Sequence, residues 1–215
     1  MIKKFNIFIN ENYMINENRV INFDDTYNNF VVMVGAPGAG KSFVSNNLVN
    51  LKDYKYINVD IERVRTAKKL GYDISDPEQN LELLNKTYTT SDPRNRTIKQ
   101  LKVLLKNQDK NKDKSNIVFD AGGGQIEVMN DIIKLAKDVG YDTTMISVKT
   151  SLETSLKRNR ERERTLDDNM VIDYYNKVKN VYDELYNMFD NVYVVTNDNE
   201  YNLSNRPNDR INKIK

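Results

Sequence analysis

The chain has 215 residues, 33 Lys or Arg against 31 Asp or Glu, and neither cysteine nor histidine. That length holds one buried core with at most a small inserted unit. Without cysteine there is no disulfide framework, thiolate nucleophile or Cys-based zinc site, which fits a cytoplasmic setting. Without histidine, proton transfer near neutral pH falls to a carboxylate, a lysine, a tyrosine or metal-bound water. A net charge of +2 excludes a strongly basic nucleic-acid coat, and no run is long and apolar enough to predict a membrane span or a signal-like leader.

Residues 1–28 scatter Ile2, Phe5, Ile9, Met14, Val20 and Phe23 among Asn, Glu and Lys. The mixed periodicity predicts an appended arm, either packed on the domain or docking a protein partner. The apolar run Phe30–Val34 predicts a buried strand, and Gly35-Ala36-Pro37-Gly38-Ala39-Gly40-Lys41-Ser42 follows it, leading into a helix from Phe43 to Val49. This is a phosphate-binding loop. Its glycines let backbone N–H groups curl around an anion, Lys41 reaches the outer phosphates of a nucleotide, and the Ser42 hydroxyl suits Mg²⁺. Gly35, Pro37, Gly38, Ala39, Gly40, Lys41, Ser42 and Phe43 form the expected nucleotide cradle for ATP or GTP.

Tyr54–Asp60 is a second short strand ending in an acid, and Ile61–Leu70 a helix with Ile61, Val64, Ala67 and Lys68 on one side, stopped by Gly71. Two further helices begin at Asp76-Pro77 and Asp92-Pro93, each with an acid as N-cap and proline in the first helical position. Residues 61–115 form a helical insertion with 13 basic and 8 acidic residues. Lys99, Lys102 and Lys106 are either a solvated face or an electrostatic guide for an anionic acceptor.

Asn116–Asp120 is the third strand, again ending in an acid, and Ala121-Gly122-Gly123-Gly124 follows it. The triplet is either a flexible turn or a point of close ligand approach, and on the second reading Gly122 and Gly123 touch substrate. A helix from Ile126 to Asp138, a strand from Thr144 to Val148 and a helix from Leu152 to Arg162 come next. The end of that helix begins a lid over residues 157–168 that carries Lys157, Arg158, Arg160, Arg162 and Arg164. Asp167-Asp168 caps one long helix reaching Phe189, Val192–Val195 is the fifth strand, and residues 197–215 are a polar, mobile tail.

The fold predicted is α/β and of the P-loop NTPase and kinase type, a five-stranded parallel sheet over residues 29–196 with helices on both faces, a helical insertion and an arginine-rich lid. Ser42, Asp60 and Asp120 then converge at the carboxyl edge of one sheet, where ligands bind in open α/β folds. Asp120 suits a metal-organising role together with Ser42. Asp60 suits orientation and deprotonation of an attacking hydroxyl or water, unless it merely caps its helix, and Arg63 one turn on can hold a substrate phosphate. At least one arginine of the basic lid is expected to stabilise transferring charge.

Gly35–Ser42, Tyr56-Ile57-Asn58-Val59-Asp60-Ile61-Glu62-Arg63, Ile117–Asp120 and Leu156–Arg162, in that order and spacing over roughly residues 30 to 196, resemble the kinase domain of bacteriophage polynucleotide 5′-kinase and its wider P-loop kinase family, zeta toxins included. The resemblance implies that Asp60 is the catalytic aspartate, Arg63 the substrate-phosphate arginine, Asp120 the third-strand acid and Arg162 the lid arginine, with Arg158 a turn earlier. The chain lacks the His-Pro that zeta toxins carry after the catalytic Asp, has Ala-Gly-Gly-Gly for their Gly-Thr, and has no Asp-x-Asp phosphatase unit. The expectation is a Mg²⁺-dependent kinase moving the γ-phosphoryl group of ATP or GTP to a hydroxyl, first of a nucleic-acid 5′ end or nucleotide, second of a nucleotide sugar or other small metabolite. A nucleotide hydrolase and a non-catalytic nucleotide-binding partner protein are the readings from other classes.

Overall fold

Asn29–Val34 (β1) is buried at every position, as an apolar strand flanked on both sides and covered on both faces must be. In the computed structural model of the chain, which describes residues 21, 23, 28–47, 49, 51, 54–86, 93–108, 114–162, 165–198 and 211–213, β1 lies at the centre of a six-stranded sheet. The other strands are Lys55–Asn58 (β2), Ile117–Gly122 (β3), Asp142–Lys149 (β4), Asn191–Thr196 (β5) and Ile211–Lys213 (β6), in the order β2-β3-β1-β4-β5-β6. The first five run parallel, as predicted. β6 is an addition, pairing antiparallel with β5 through Tyr193↔Lys213 and Val195↔Ile211. The expectation of a mobile polar tail therefore fails at residues 211–213, where Ile211 opens a strand that the polar surroundings hid.

Eight helices are described: Lys41–Asn47 (α1), Val59–Leu70 (α2), Pro77–Lys86 (α3), Pro93–Lys106 (α4), Ile126–Asp138 (α5), Leu152–Glu161 (α6), Asp168–Asn180 (α7) and Tyr182–Met188 (α8). Alternation along β1 sends Phe30, Val32 and Val34 into one core with Phe119, Leu101, Leu105, Ile132 and Leu185. Val31 and Met33 go into a second core with Val118, Ile146, Val148 and Val44. Side chains that alternate with period two require two cores, and the sheet separates them. Of the N-terminal arm, Ile21 bridges to Val49 and joins the second core, and Phe23 packs near the Tyr54 ring. Residues 1–20 lie outside the described residues, and so does the arm's expected docking role.

Two boundaries and one buried face differ most from expectation. β2 stops at Asn58 because Asn58 caps α2, its Oδ1 accepting the Asp60 N–H at 2.7 Å, so Val59 and Asp60 are helical. The expected long helix to Phe189 divides at Val181, whose N–H bonds back to the Lys177 and Lys179 carbonyls. On α2, Ile61 and Val64 are 45% and 44% exposed, so of the side read as Ile61, Val64, Ala67 and Lys68 only Ala67 is buried, and Val59 joins it. Val59 of α2 shares the first core with Leu101 and Leu105 of α4, and Arg96 Nη2 of α4 donates to Thr66 Oγ1 of α2 at 2.7 Å at the exposed side of the pair.

Candidate active site

The phosphate loop leaves β1 where Gly35 N–H donates to the Gly122 carbonyl at 3.2 Å. Gly38 and Gly40 have φ of +81° and +90°, a region that side chains other than glycine avoid. A Cβ on Gly38 would also meet the Ser155 carbonyl of α6 at 2.4 Å, and one on Gly40 would meet Asn197 Nδ2 at 2.3 Å. The loop is thus wedged between β1, the lid helix α6 and the segment after β5. Lys41 Nζ donates to the Gly35 and Ala36 carbonyls at 2.9 and 3.5 Å, so its ammonium sits over the loop. Ser42, one residue into α1, is exposed.

Asp120 is 7% exposed at the end of β3. Its Oδ2 accepts from Tyr56 Oη at 3.0 Å and from Asn58 Nδ2 at 3.2 Å. Burial pushes this carboxyl above the usual range. The Lys41 charge and the Tyr56 hydroxyl pull it back, and the neighbouring Asp60 charge adds to the rise. Burial likewise raises the Tyr56 hydroxyl, with the Asp120 charge second. Asp60, with its N–H on Asn58, is not itself the helix cap. Its Oδ1 meets Arg63 Nη1 at 3.3 Å, with the Asp60 side chain 48% exposed and that of Arg63 21%. Lys41, Asp60, Arg63 and Asp120 are therefore brought together. Asn58 and Tyr56, which sequence reasoning passed over, hold the acids; an Asn directly before a helix is a cap type that could have flagged the first.

The donor set fits Mg²⁺, which takes hard oxygens, keeps several waters and binds through one or two carboxylates plus substrate phosphates. Asp120 offers a carboxylate held by two donors and within reach of the Lys41 charge, and Ser42 offers an open hydroxyl. Among the described residues no group of three or more acids gathers to form an all-protein metal cage.

The lid reading divides by residue. Residues 157–161 lie inside α6, whose Ser151 cap accepts from Thr154 N–H at 3.2 Å. Arg158 Nη1 donates to the Asn197 carbonyl at 2.8 Å, beside Gly40. Arg160 spends its guanidinium on Asp168 rather than on the phosphate loop. Arg162 ends the helix with its Nε and Nη2 shielded from solvent. Arg164 lies outside the described residues. Buried Asn159 clamps the return of the segment, donating to the Leu166 carbonyl at 2.7 Å and accepting its N–H at 3.1 Å.

The glycine triplet has a packing reason. A Cβ on Gly122 would meet Tyr174 Oη at 3.1 Å, and one on Gly123 would meet Val34 Cγ1 at 2.7 Å. Close approach at these residues is made by protein, and Tyr174 Oη donates to the Ala121 carbonyl at 3.3 Å. A cavity of ≈ 290 Å³ lies behind the loop, lined by Gly35, Ala36, Ser147, Lys149, Tyr175 and Tyr182; Asp60 and Asp120 are outside it.

No described helix is long and apolar enough to cross a membrane. No curated protein sequence matches the chain. Solved structures do. A chain of the PezAT chromosomal toxin–antitoxin system of Streptococcus pneumoniae is 14% identical over 81% of this chain and 70% of its own, with a TM-score of 0.53. A chain of the AvrRxo1-ORF1:-ORF2 complex with ATP is 16% identical over 80% of this chain and 55% of its own, at 0.57, so the present chain spans about half of that one. A kinase candidate from Chloroflexus aurantiacus is 12% identical over 86% and 95%, at 0.53. At these identities the likeness is one of fold. The family described as AAA domain (AAA_33) matches residues 30–184, from the first residues of β1 past the lid into α8, and the chain belongs to that family, with the α/β fold of a P-loop NTPase.

Proposed function

We propose that the protein transfers the γ-phosphoryl group of ATP to a hydroxyl of a small phosphate-bearing metabolite, a nucleotide or nucleotide sugar being the class of first choice. The observation that carries this reading is the pair of acids held by one amide beside the loop lysine: Asp60 on the Asn58 cap, Asp120 on its Nδ2, and Lys41 close enough to act on Asp120. Lys41 and the loop N–H groups hold the donor phosphates. Asp60, half exposed, accepts the proton of the acceptor hydroxyl as its oxygen bonds to the γ-phosphorus, and ADP leaves with the electrons of the broken P–O bond. Arg63, already on Asp60, fixes the acceptor's own phosphate. Arg158 and Arg162 offset charge on the transferring group. Ser42 and Asp120 would hold Mg²⁺, which when bound neutralises phosphate charge. Positioning and electrostatics supply most of the rate in this class of reaction.

A small acceptor is favoured over a nucleic-acid end because the basic insertion spends part of its charge internally, Lys102 on Asp131 at 2.9 Å and Arg65 on Glu62 at 2.6 Å. The likeness in fold to a chain from a complex with ATP supports ATP as the donor. The test is transfer of labelled γ-phosphate to a panel of nucleotides, nucleotide sugars, nucleosides and 5′-hydroxyl oligonucleotides, with Asp60→Asn alongside. Label on a small acceptor that is lost in the variant is the expected result. Label on oligonucleotides alone would overturn the acceptor class, and acceptor-independent release of phosphate would make the protein a hydrolase.

A further inference from the structure

Asn197 follows β5 at the start of what the composition marks as a tail, yet it is 7% exposed and touches three elements. Its N–H donates to the Lys149 carbonyl at the end of β4 at 2.8 Å. Its Nδ2 donates to the Ala39 carbonyl of the phosphate loop at 2.8 Å, across 158 residues of sequence. Its own carbonyl accepts Arg158 Nη1 at 2.8 Å. Asp198, next in the chain, holds the other end of α6: its Oδ1 accepts the Ser151 N–H at 2.6 Å and Thr150 Oγ1 at 3.1 Å, and its carbonyl accepts Thr154 Oγ1 at 3.2 Å.

The bond to Ala39 has a directional consequence. In a trans peptide the carbonyl and the N–H of the next residue point opposite ways. Pinning the Ala39 carbonyl outward on Asn197 therefore fixes the Gly40 N–H away from Asn197. Successive N–H groups held in one direction are what makes such a loop an anion cradle. Gly40 has no side chain to resist rotation of that peptide, so the restraint comes from outside the loop.

We propose that Asn197 is a positioning residue. Through its side chain it sets the Ala39–Gly40 peptide for phosphate binding, and through its backbone it holds Arg158 against the same point of the loop, so that loop and lid helix form one preorganised unit. An amide is needed there: Asp at this position would set a carboxylate oxygen against a carbonyl, and Ala would leave the carbonyl without its buried donor.

The inference rests on the nucleotide-binding role of the loop, and its test reads binding directly. Affinities for ATP and for inorganic triphosphate are measured by calorimetry for the full chain, Asn197→Ala, Asn197→Asp, Arg158→Ala and the Asn197→Ala/Arg158→Ala double variant, with thermal unfolding recorded for each. Asn197→Ala is expected to lose about tenfold toward both ligands, the scale of one hydrogen bond. Asn197→Asp, which keeps the bulk and so the packing, is expected to lose more. The double variant is expected to lose less than the product of the singles, because each removes part of one unit. Wild-type binding with Asn197→Asp equal to wild type, or a double variant equal to the product, overturns the positioning role alone. Wild-type protein that binds neither ligand overturns the nucleotide-binding role and this inference with it.

Discussion

Asn58 and Asp120 share a hydrogen bond, Nδ2 to Oδ2 at 3.2 Å, while the other end of the same amide caps the helix that carries Asp60. One side chain thus sets the spacing of both acids. Asn58→Ala is expected to cost about 1 kcal/mol through the lost cap, a fall of about 2–4 °C in Tm for a chain of this size, and to lower kcat about tenfold or more because both carboxylates lose their register. Asn58→Asp keeps a cap acceptor but faces Asp120 with a second carboxylate. Burial already disfavours the Asp120 carboxylate, so this repulsion is expected to lower Tm below that of Asn58→Ala at pH 7 and to ease as pH falls and the pair takes up a proton, which separates it from the lost cap.

Asp120→Asn is expected to raise thermal stability while abolishing transfer. Burial works against the Asp120 carboxylate, and only partial relief comes from Lys41 and Tyr56, so a neutral amide of the same shape removes a penalty on the folded state. On the proposed function the same change removes a charge that organises phosphate transfer, an expected loss of about 10² or more in kcat. A melting curve and a turnover assay on one preparation check both, and a variant that is less stable and inactive would show that the carboxylate is structural.

Gly123→Ala is expected to destabilise by about 2–3 kcal/mol, since the residue has φ of +85° and its new methyl would meet Val34 Cγ1 at 2.7 Å. Urea unfolding measures this without substrate. A near-neutral result would return the glycine triplet to a role in ligand approach.

Acid sensitivity is expected to centre on Asp190. Burial works against its charge, but Lys137 Nζ at 2.7 Å and the Thr143 hydroxyl and N–H at 2.7 and 3.0 Å outweigh it, holding the carboxyl below its usual range. A folded-state value below the unfolded one gives stability that is full above the unfolded value of about 4 and is lost as pH falls through the folded value. Asp190→Asn is therefore expected to cost about 1–2 kcal/mol at pH 7, with the gap to wild type closing as pH drops below about 4. Urea midpoints at pH 7 and pH 3 check it.

The sequence made the sheet legible because β1, β3 and β5 carry apolar runs and β2 and β4 shorter apolar stretches between helix signals, and the phosphate loop legible because its glycines, lysine and serine have few other uses in that spacing. The convergence of Ser42, Asp60 and Asp120 was expected from topology alone, and Asp60 does lie close enough for its charge to act on Asp120. What stayed hidden was held by single polar contacts over long distances. Asn58 looked like the last residue but two of a strand, Tyr174 looked like helix filling although its ring accounts for Gly122, and Asn197 looked like tail although it reaches back to Ala39. Ile61, Val64 and Ala67 share one side of α2 in the sequence, yet only Ala67 of the three is buried, because periodicity shows which residues share a side and not how far a neighbour covers it.

β1 comes early in the chain and lies in the middle of the sheet. Its partners come late: Asn29 bonds to Asn116 across 87 residues and pairs with Asp142 on its other side. The loop that follows β1 acquires its walls only when β3 and β4 flank the strand and Asn197 arrives behind Gly40. Local contacts cannot assemble this site ahead of the rest, so its formation carries the loop-closure cost of nearly the whole domain. Nucleotide affinity should then track global folding: a weakened contact at β4 or β5, far from any phosphate, will surface first as slow recovery of ATP binding during refolding.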